Sequence, residues 1–158
     1  KLIQVREKQL ADAELLALAS KVVALARTYG ARVLVNGAAA LAARAGAAGV
    51  HLTAARLMAA ARRPDGDWCA ASCHNAEELA RARELGVDFV VLGPVLPTPS
   101  HAHADTLGWP EFSRLIGDYP LPVYALGGLN MSELDCARRH GAHGIGMLRG
   151  AWTDVRYS

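Results

Sequence analysis

Short runs of consecutive apolar residues alternate along this chain with longer stretches in which alanine and leucine recur at helical spacing among charged residues. Val33-Leu34-Val35 precedes a helix expected over Ala38 to Ala45, and Val50-His51-Leu52 precedes one over Ala54 to Arg63, where Pro64-Asp65-Gly66 supplies a stop. Trp68 to Ala71 precedes a helix over Ala76 to Leu85, with Asn75 as its N-cap and Gly86 as its C-cap. Phe89 to Leu92 opens another unit through a loop and helix. Val123 to Leu126 leads into a helix from Met131 to His140, and Ile145 to Leu148 closes the series.

Continuous apolar strands suit a sheet covered on both faces, and intervening helices are what parallel pairing requires. The pattern therefore predicts a parallel α/β fold in one domain over residues 1–158. Counting from Ile3 gives about seven strand candidates, and the architecture that repeats one short βα unit so regularly is the TIM-type (βα)8 barrel, here short of one unit. An open doubly wound sheet is the rival, but its GxGxxG fingerprint is absent.

Composition narrows the function classes. The chain is 52% hydrophobic and 20% charged, and its net charge of +2 is spread along the sequence, which gives no support to a nucleic-acid surface. No apolar run reaches the ~18 residues of a membrane span, and the N-terminus has no signal-peptide pattern. Cys69, Cys73 and Cys136 form no CxxC, so a reducing cytoplasm is the expected compartment. The first residue is Lys1, as in a fragment or a processed product.

Candidate chemistry gathers just past the apolar runs. Gln4, Arg6 and Lys8 are two residues apart, so in a strand they share one face, either a cationic ligand wall or an edge strand with solvated charges. Asn36 and Ser72 fall at or near strand ends, where they can orient a heterocycle or serve a turn and a helix cap. Residues 93–108 form the longest stretch with no period, a loop on the catalytic face of a barrel, and Thr98 and Ser100 there can donate to a phosphate or belong to ordinary loop polarity. Gly127-Gly128 follows Leu126 directly, either to let backbone N–H groups approach an oxyanion or to meet a demand for positive φ. Arg149 lies just past the last strand. His101 and His103, with His51 and His74, invite a metal reading, which HxH without companion carboxylates supports weakly.

Gln4-Val5-Arg6-Glu7-Lys8, Val35-Asn36, Gly49-Val50-His51-Leu52, Ala71-Ser72-Cys73-His74, Leu92-Gly93-Pro94, Thr98-Pro99-Ser100, Ala125-Leu126-Gly127-Gly128 and Gly141-Ala142-His143-Gly144-Ile145 resemble, in order, the thiamine-phosphate synthase and TenI-like family. The resemblance covers nearly the whole chain and implies a (βα)8 barrel entered at its second strand. It implies an enzyme that joins a pyrimidine-methyl diphosphate to a thiazole phosphate with release of pyrophosphate. On the matching motifs, Gln4, Arg6 and Lys8 would hold the diphosphate, Asn36 and Ser72 the pyrimidine, and Thr98 and Ser100 the thiazole phosphate. Gly127, Gly128, Leu148 and Arg149 would complete the phosphate cradle.

Departures from the pattern bear on the metal. The resemblance implies Mg²⁺ held by an Asp after the Asn and a second Asp after the HLGQ-type motif, and this chain has Gly37 and, in a gapless match, Arg56 there. His101 stands where a lysine is expected. Pro94 stands where TenI-type thiazole tautomerases have a histidine. Two readings stay open: a synthase-like enzyme, or a non-catalytic domain that senses or scaffolds a phosphorylated ligand. Ser100-His101, Leu107-Gly108-Trp109 and 144–152 look most like the branch fused behind a Nudix hydrolase domain in bacteria, which implies such a partner upstream. A barrel short of one unit exposes strand edges, so a homo-oligomer is also expected.

Overall fold

A computed structural model describes residues 1–98 and 105–151. Seven parallel strands follow chain order: β1 (Leu2–Val5), β2 (Arg32–Val35), β3 (Gly49–Leu52), β4 (Trp68–Cys73), β5 (Phe89–Leu92), β6 (Val123–Leu126) and β7 (Gly144–Gly146). Between them run α1 (Asp12–Thr28), α2 (Ala39–Arg44), α3 (Ala54–Ala59), α4 (Ala76–Leu85), α5 (Gly108–Ile116) and α6 (Leu134–Arg139). The chain divides into two compact units, Lys1–Ala71 with Leu85–Asp88, and Ser72–Glu84 with the chain from Phe89 onward.

In the first unit β1 pairs with β2 over four residues, ending at Val5 beside Val35, and β3 pairs with β4 from Gly49 beside Trp68 to Leu52 beside Ala71. Every residue of β3 is buried, as a strand covered on both faces demands. α1 buries Leu15, Ala19, Val23 and Ala26, one stripe at helical spacing, with Asp12 and Glu14 in its first turn and Arg27 in its last to complement the helix dipole. This longest helix follows a cluster of charges with no Gly or Pro signal, and the strand-led reading of the sequence did not single it out.

In the second unit β5, β6 and β7 pair side by side, and Gly93 N–H donates to the Cys73 carbonyl. α4 runs from Ala76 to Leu85 as expected. Asn75 Oδ1 accepts the Glu78 N–H at 2.9 Å, Glu78 Oε2 accepts the His74 N–H, and Gly86 ends the helix at φ 73°. Phe112 and Ile116 bury the inner face of α5.

Five expected boundaries move, one of them the strand expected to end at Ala71, which runs on to Cys73. The strand expected to carry Gln4, Arg6 and Lys8 on one face stops at Val5, the last residue with a β2 partner and the one buried residue of β1, so these three do not form a single strand wall. α3 stops at Ala59 instead of Arg63, since Pro64 disfavours helix before it and Arg63 is committed to partners off the helix. The helix expected over 131–140 starts as a 3₁₀ turn, Met131–Glu133, capped by Asn130 accepting from Ser132 N–H at 2.8 Å, before α6. β7 covers Gly144–Gly146 and releases Leu148, which is 64% exposed, ahead of a 3₁₀ turn at Arg149–Ala151.

Candidate active-site cleft and phosphate cradle

The first unit holds a cleft of ≈ 290 Å³ at the carboxyl ends of β1, β2 and β3. Arg6 follows the last residue of β1, Asn36 and Gly37 follow β2, and Thr53 follows β3, so three neighbouring strands deliver their next residues to one place. That end of a parallel sheet is where ligands bind, because the loops there are free to carry polar groups on a rigid frame. The Asn36 N–H donates to the Val5 carbonyl at 2.9 Å, which fixes Asn36 beside the point where β1 hands over to Arg6. Lys8, Glu7, Asp12 and Arg56 complete the polar wall, three cations against two carboxylates.

None of Arg6, Lys8 and Arg56 makes an ion pair with a described residue, whereas Arg62, Arg63, Arg81 and Arg114 each pair with an Asp or Glu. His51 in β3 is 3% exposed, and burial, helped by the positive charge of Arg6, lowers its pKa to about 4, so it is a neutral imidazole at ordinary pH. Of the residues expected here, Arg6, Lys8 and Asn36 meet in the cleft. Gln4 lies on exposed β1 and does not line it. Glu7, Asp12 and Thr53 were not anticipated. Thr53 alone carried a signal, since it directly follows an apolar strand run.

The cleft does not fit the Mg²⁺ ion that the sequence resemblance implies. Gly37 offers no side-chain oxygen, Arg56 brings a cation, and among the described residues no three His, Cys, Asp or Glu side chains come together.

The second unit builds a different arrangement. Gly127 and Gly128 have φ of 104° and 70°, and a Cβ on Gly127 would stand 2.6 Å from Pro94 Cα, one on Gly128 2.6 Å from the Pro97 carbonyl oxygen. Glycine is therefore required both for the turn and for the close passage of the Pro94–Pro97 segment, which is tied down by Val95 N–H to the Leu126 carbonyl at 2.8 Å and Leu96 N–H to the Gly127 carbonyl at 3.1 Å. The N–H groups of Gly127 and Gly128 donate to no described residue and remain available to an anion. Arg149 Nη2 donates to Thr98 Oγ1 at 3.2 Å, bringing together two expected residues 51 positions apart. The loop that carries Thr98 is closed at its base by Leu107 N–H to the Pro94 carbonyl and Gly108 N–H to the Val95 carbonyl, both 2.9 Å. Ser72 is half-buried within β4, one residue before its end, while Asn75 caps the following helix. Ser100, His101 and His103 lie outside the described residues.

A thiamine monophosphate synthase family model matches residues 1–151. The chain belongs to that family. A thiamine-phosphate synthase of Thermus thermophilus is 35% identical over 153 residues, covering 93% of this chain and 72% of the relative. The bifunctional protein ThiM/ThiE of Symbiobacterium thermophilum is 36% identical over 153 residues, 94% of this chain and 32% of that longer protein. The solved structure of a thiamine phosphate pyrophosphorylase from Pyrococcus furiosus superimposes with a TM-score of 0.76 at 25% identity, covering 92% of this chain and 71% of that one. The parallel α/β fold is thus of the thiamine-phosphate synthase type. No helix among the described residues is long and apolar enough to cross a membrane.

Proposed function

We propose that this chain binds the two phosphorylated halves of thiamine phosphate and joins them, releasing pyrophosphate. The observation that carries the reading is the meeting of Arg6, Lys8 and Asn36 at the ends of β1 and β2, two unpaired cations and an amide, in a member of this family. The cleft takes the diphosphate of the pyrimidine half, with the guanidinium of Arg6 giving a bidentate fork and Lys8 a point charge. When the C–O bond breaks, the electron pair leaves with pyrophosphate, and these cations hold the charge that develops there. In the second unit the Gly127 and Gly128 N–H groups, Thr98, Leu148 and Arg149 take the phosphate of the thiazole half, a role the family resemblance also gives to Ser100; the roles the resemblance gives to Gln4 and Ser72, at the diphosphate and the pyrimidine, remain assignments by motif alone.

The second reading is a phosphate-ligand sensor or scaffold without turnover, and the observation in its favour is Gly37 and Arg56 at the metal positions. Under either reading we place the seven strands as the second to eighth of the family barrel, with a cytoplasmic setting and a Nudix domain as a candidate fusion partner.

Calorimetric titration with the pyrimidine diphosphate and with thiamine phosphate, beside Arg6→Ala, tests the proposal. Binding that is lost in Arg6→Ala, with pyrophosphate released when both halves are supplied, is the expected result. Binding without release selects the sensor. No binding of either compound overturns both.

A further inference from the structure

We propose that Arg56 neutralises a diphosphate-class polyanion in the first-unit cleft, so that this cleft binds its ligand without a divalent metal. The inference rests on the reading of that cleft as the diphosphate site and adds the means of charge balance.

Arg56 is the third residue of α3, and its backbone N–H is taken by Thr53 Oγ1 at 3.2 Å, so its position is set by the main chain and its guanidinium is left for other work. Arg56 lines the cleft with Arg6 and Lys8, and its guanidinium makes no ion pair or hydrogen bond with a described residue, although Glu7 and Asp12 line the same space. Two arginines elsewhere show what full engagement looks like. Arg63 uses three of its donors on Gly86, Gly66 and Asp88, and Arg114 makes a two-pronged contact with Glu111. Three exposed cations against two carboxylates leave the cleft lining with one positive charge in excess, a surplus that attracts an anion. Diphosphate oxygens match a guanidinium fork, whereas a dication would face three like charges with only two carboxylates to attract it.

An unusual metal dependence follows. Mg²⁺ complexes pyrophosphate in solution and removes part of the charge that Arg56 would meet, so adding it weakens binding here instead of enabling it. The test is calorimetric titration of the full chain with inorganic pyrophosphate at fixed ionic strength, in chelator and then in Mg²⁺, for wild type, Arg56→Gln, Arg56→Lys and Arg6→Ala, with thermal melts to establish that each variant is folded. Arg56→Gln keeps the backbone bond to Thr53. Expected are binding in chelator, weaker binding in Mg²⁺, an affinity about tenfold lower in Arg56→Gln, as for loss of one charged hydrogen bond, and partial recovery in Arg56→Lys. Binding that needs Mg²⁺, or binding abolished by Arg6→Ala yet unchanged in Arg56→Gln, overturns the role of Arg56 and leaves the diphosphate site standing. No pyrophosphate binding under any condition removes both.

Discussion

Arg63 Nη2 stands 2.7 Å from Asp88 Oδ2, and the same oxygen accepts the Cys69 N–H at 2.6 Å. One carboxylate therefore joins the chain after α3 to the start of β4 and to the residue before β5, all within the first unit. The pair is about one-third exposed, with side-chain accessibilities of 31% and 34%, so solvent takes part of its Coulomb energy. Asp88→Ala leaves a guanidinium and a backbone N–H without their acceptor and is expected to cost about 2 kcal/mol in urea denaturation. A loss below about 0.5 kcal/mol would mean that water replaces the carboxylate at little cost.

His51 gives the protein a pH-dependent stability. Its pKa falls from 6.5 to about 4 on folding, first through burial and then through Arg6. Above the unfolded value both states are neutral and nothing depends on pH. As pH falls from 6.5 towards 4 the unfolded chain binds a proton that the native chain does not, and about 3 kcal/mol of stability is lost across that window. Urea midpoints measured from about pH 7 to about pH 4.5 should show this decline and should show less of it in His51→Gln. Equal slopes in the two proteins would place the titration elsewhere.

Thiol chemistry should separate the three cysteines. Burial pushes Cys69 up to about 11, against a lowering by Arg63, and Cys73 up to about 12, with Glu78 adding to the rise. Both are thiols at ordinary pH, and both are buried. At about pH 8 a disulfide reagent should label only half-buried Cys136 in the native protein and all three in denaturant, read by peptide mass. Rapid native labelling of Cys69 or Cys73 would contradict their burial.

Gly127→Ala combines a backbone conformation that L residues avoid with a Cβ 2.6 Å from Pro94 Cα. The substitution should cost at least about 2 kcal/mol and lower the affinity for a phosphate monoester by displacing the Pro94–Pro97 segment. Thermal melts and phosphate titration read the two effects separately. Unchanged stability would show that the segment shifts freely.

Much of the framework could be read from the sequence because each strand is a short apolar run that ends in a polar or glycine residue. β5, α4 and β6 fall at their expected bounds, as do the Asn75 cap and the Gly86 stop. Local pattern failed where tertiary contacts decide. Alternation at Gln4, Arg6 and Lys8 looks like a strand, but β2 offers no partner beyond Val35, and the chain leaves the sheet. The candidate site was legible only by the rule that function follows strand ends. That rule finds Arg6, Asn36, Gly127 and Arg149, but it says nothing about Asp12 at the start of a helix or about which cations stay unpaired, since pairing is a matter of distance.

The Asn36 N–H bound to the Val5 carbonyl ties the cleft to a strand whose first three residues are exposed. An anion seated on Arg6 and Asn36 would clamp that strand at its carboxyl end, so part of the binding energy is spent on ordering main chain. Amide exchange at alternate residues from Arg32 to Asn36, whose N–H groups face β1 in the ladder, would then slow on ligand binding, and affinity would fall with any change that frays Leu2 or Ile3, at residues that never touch the ligand.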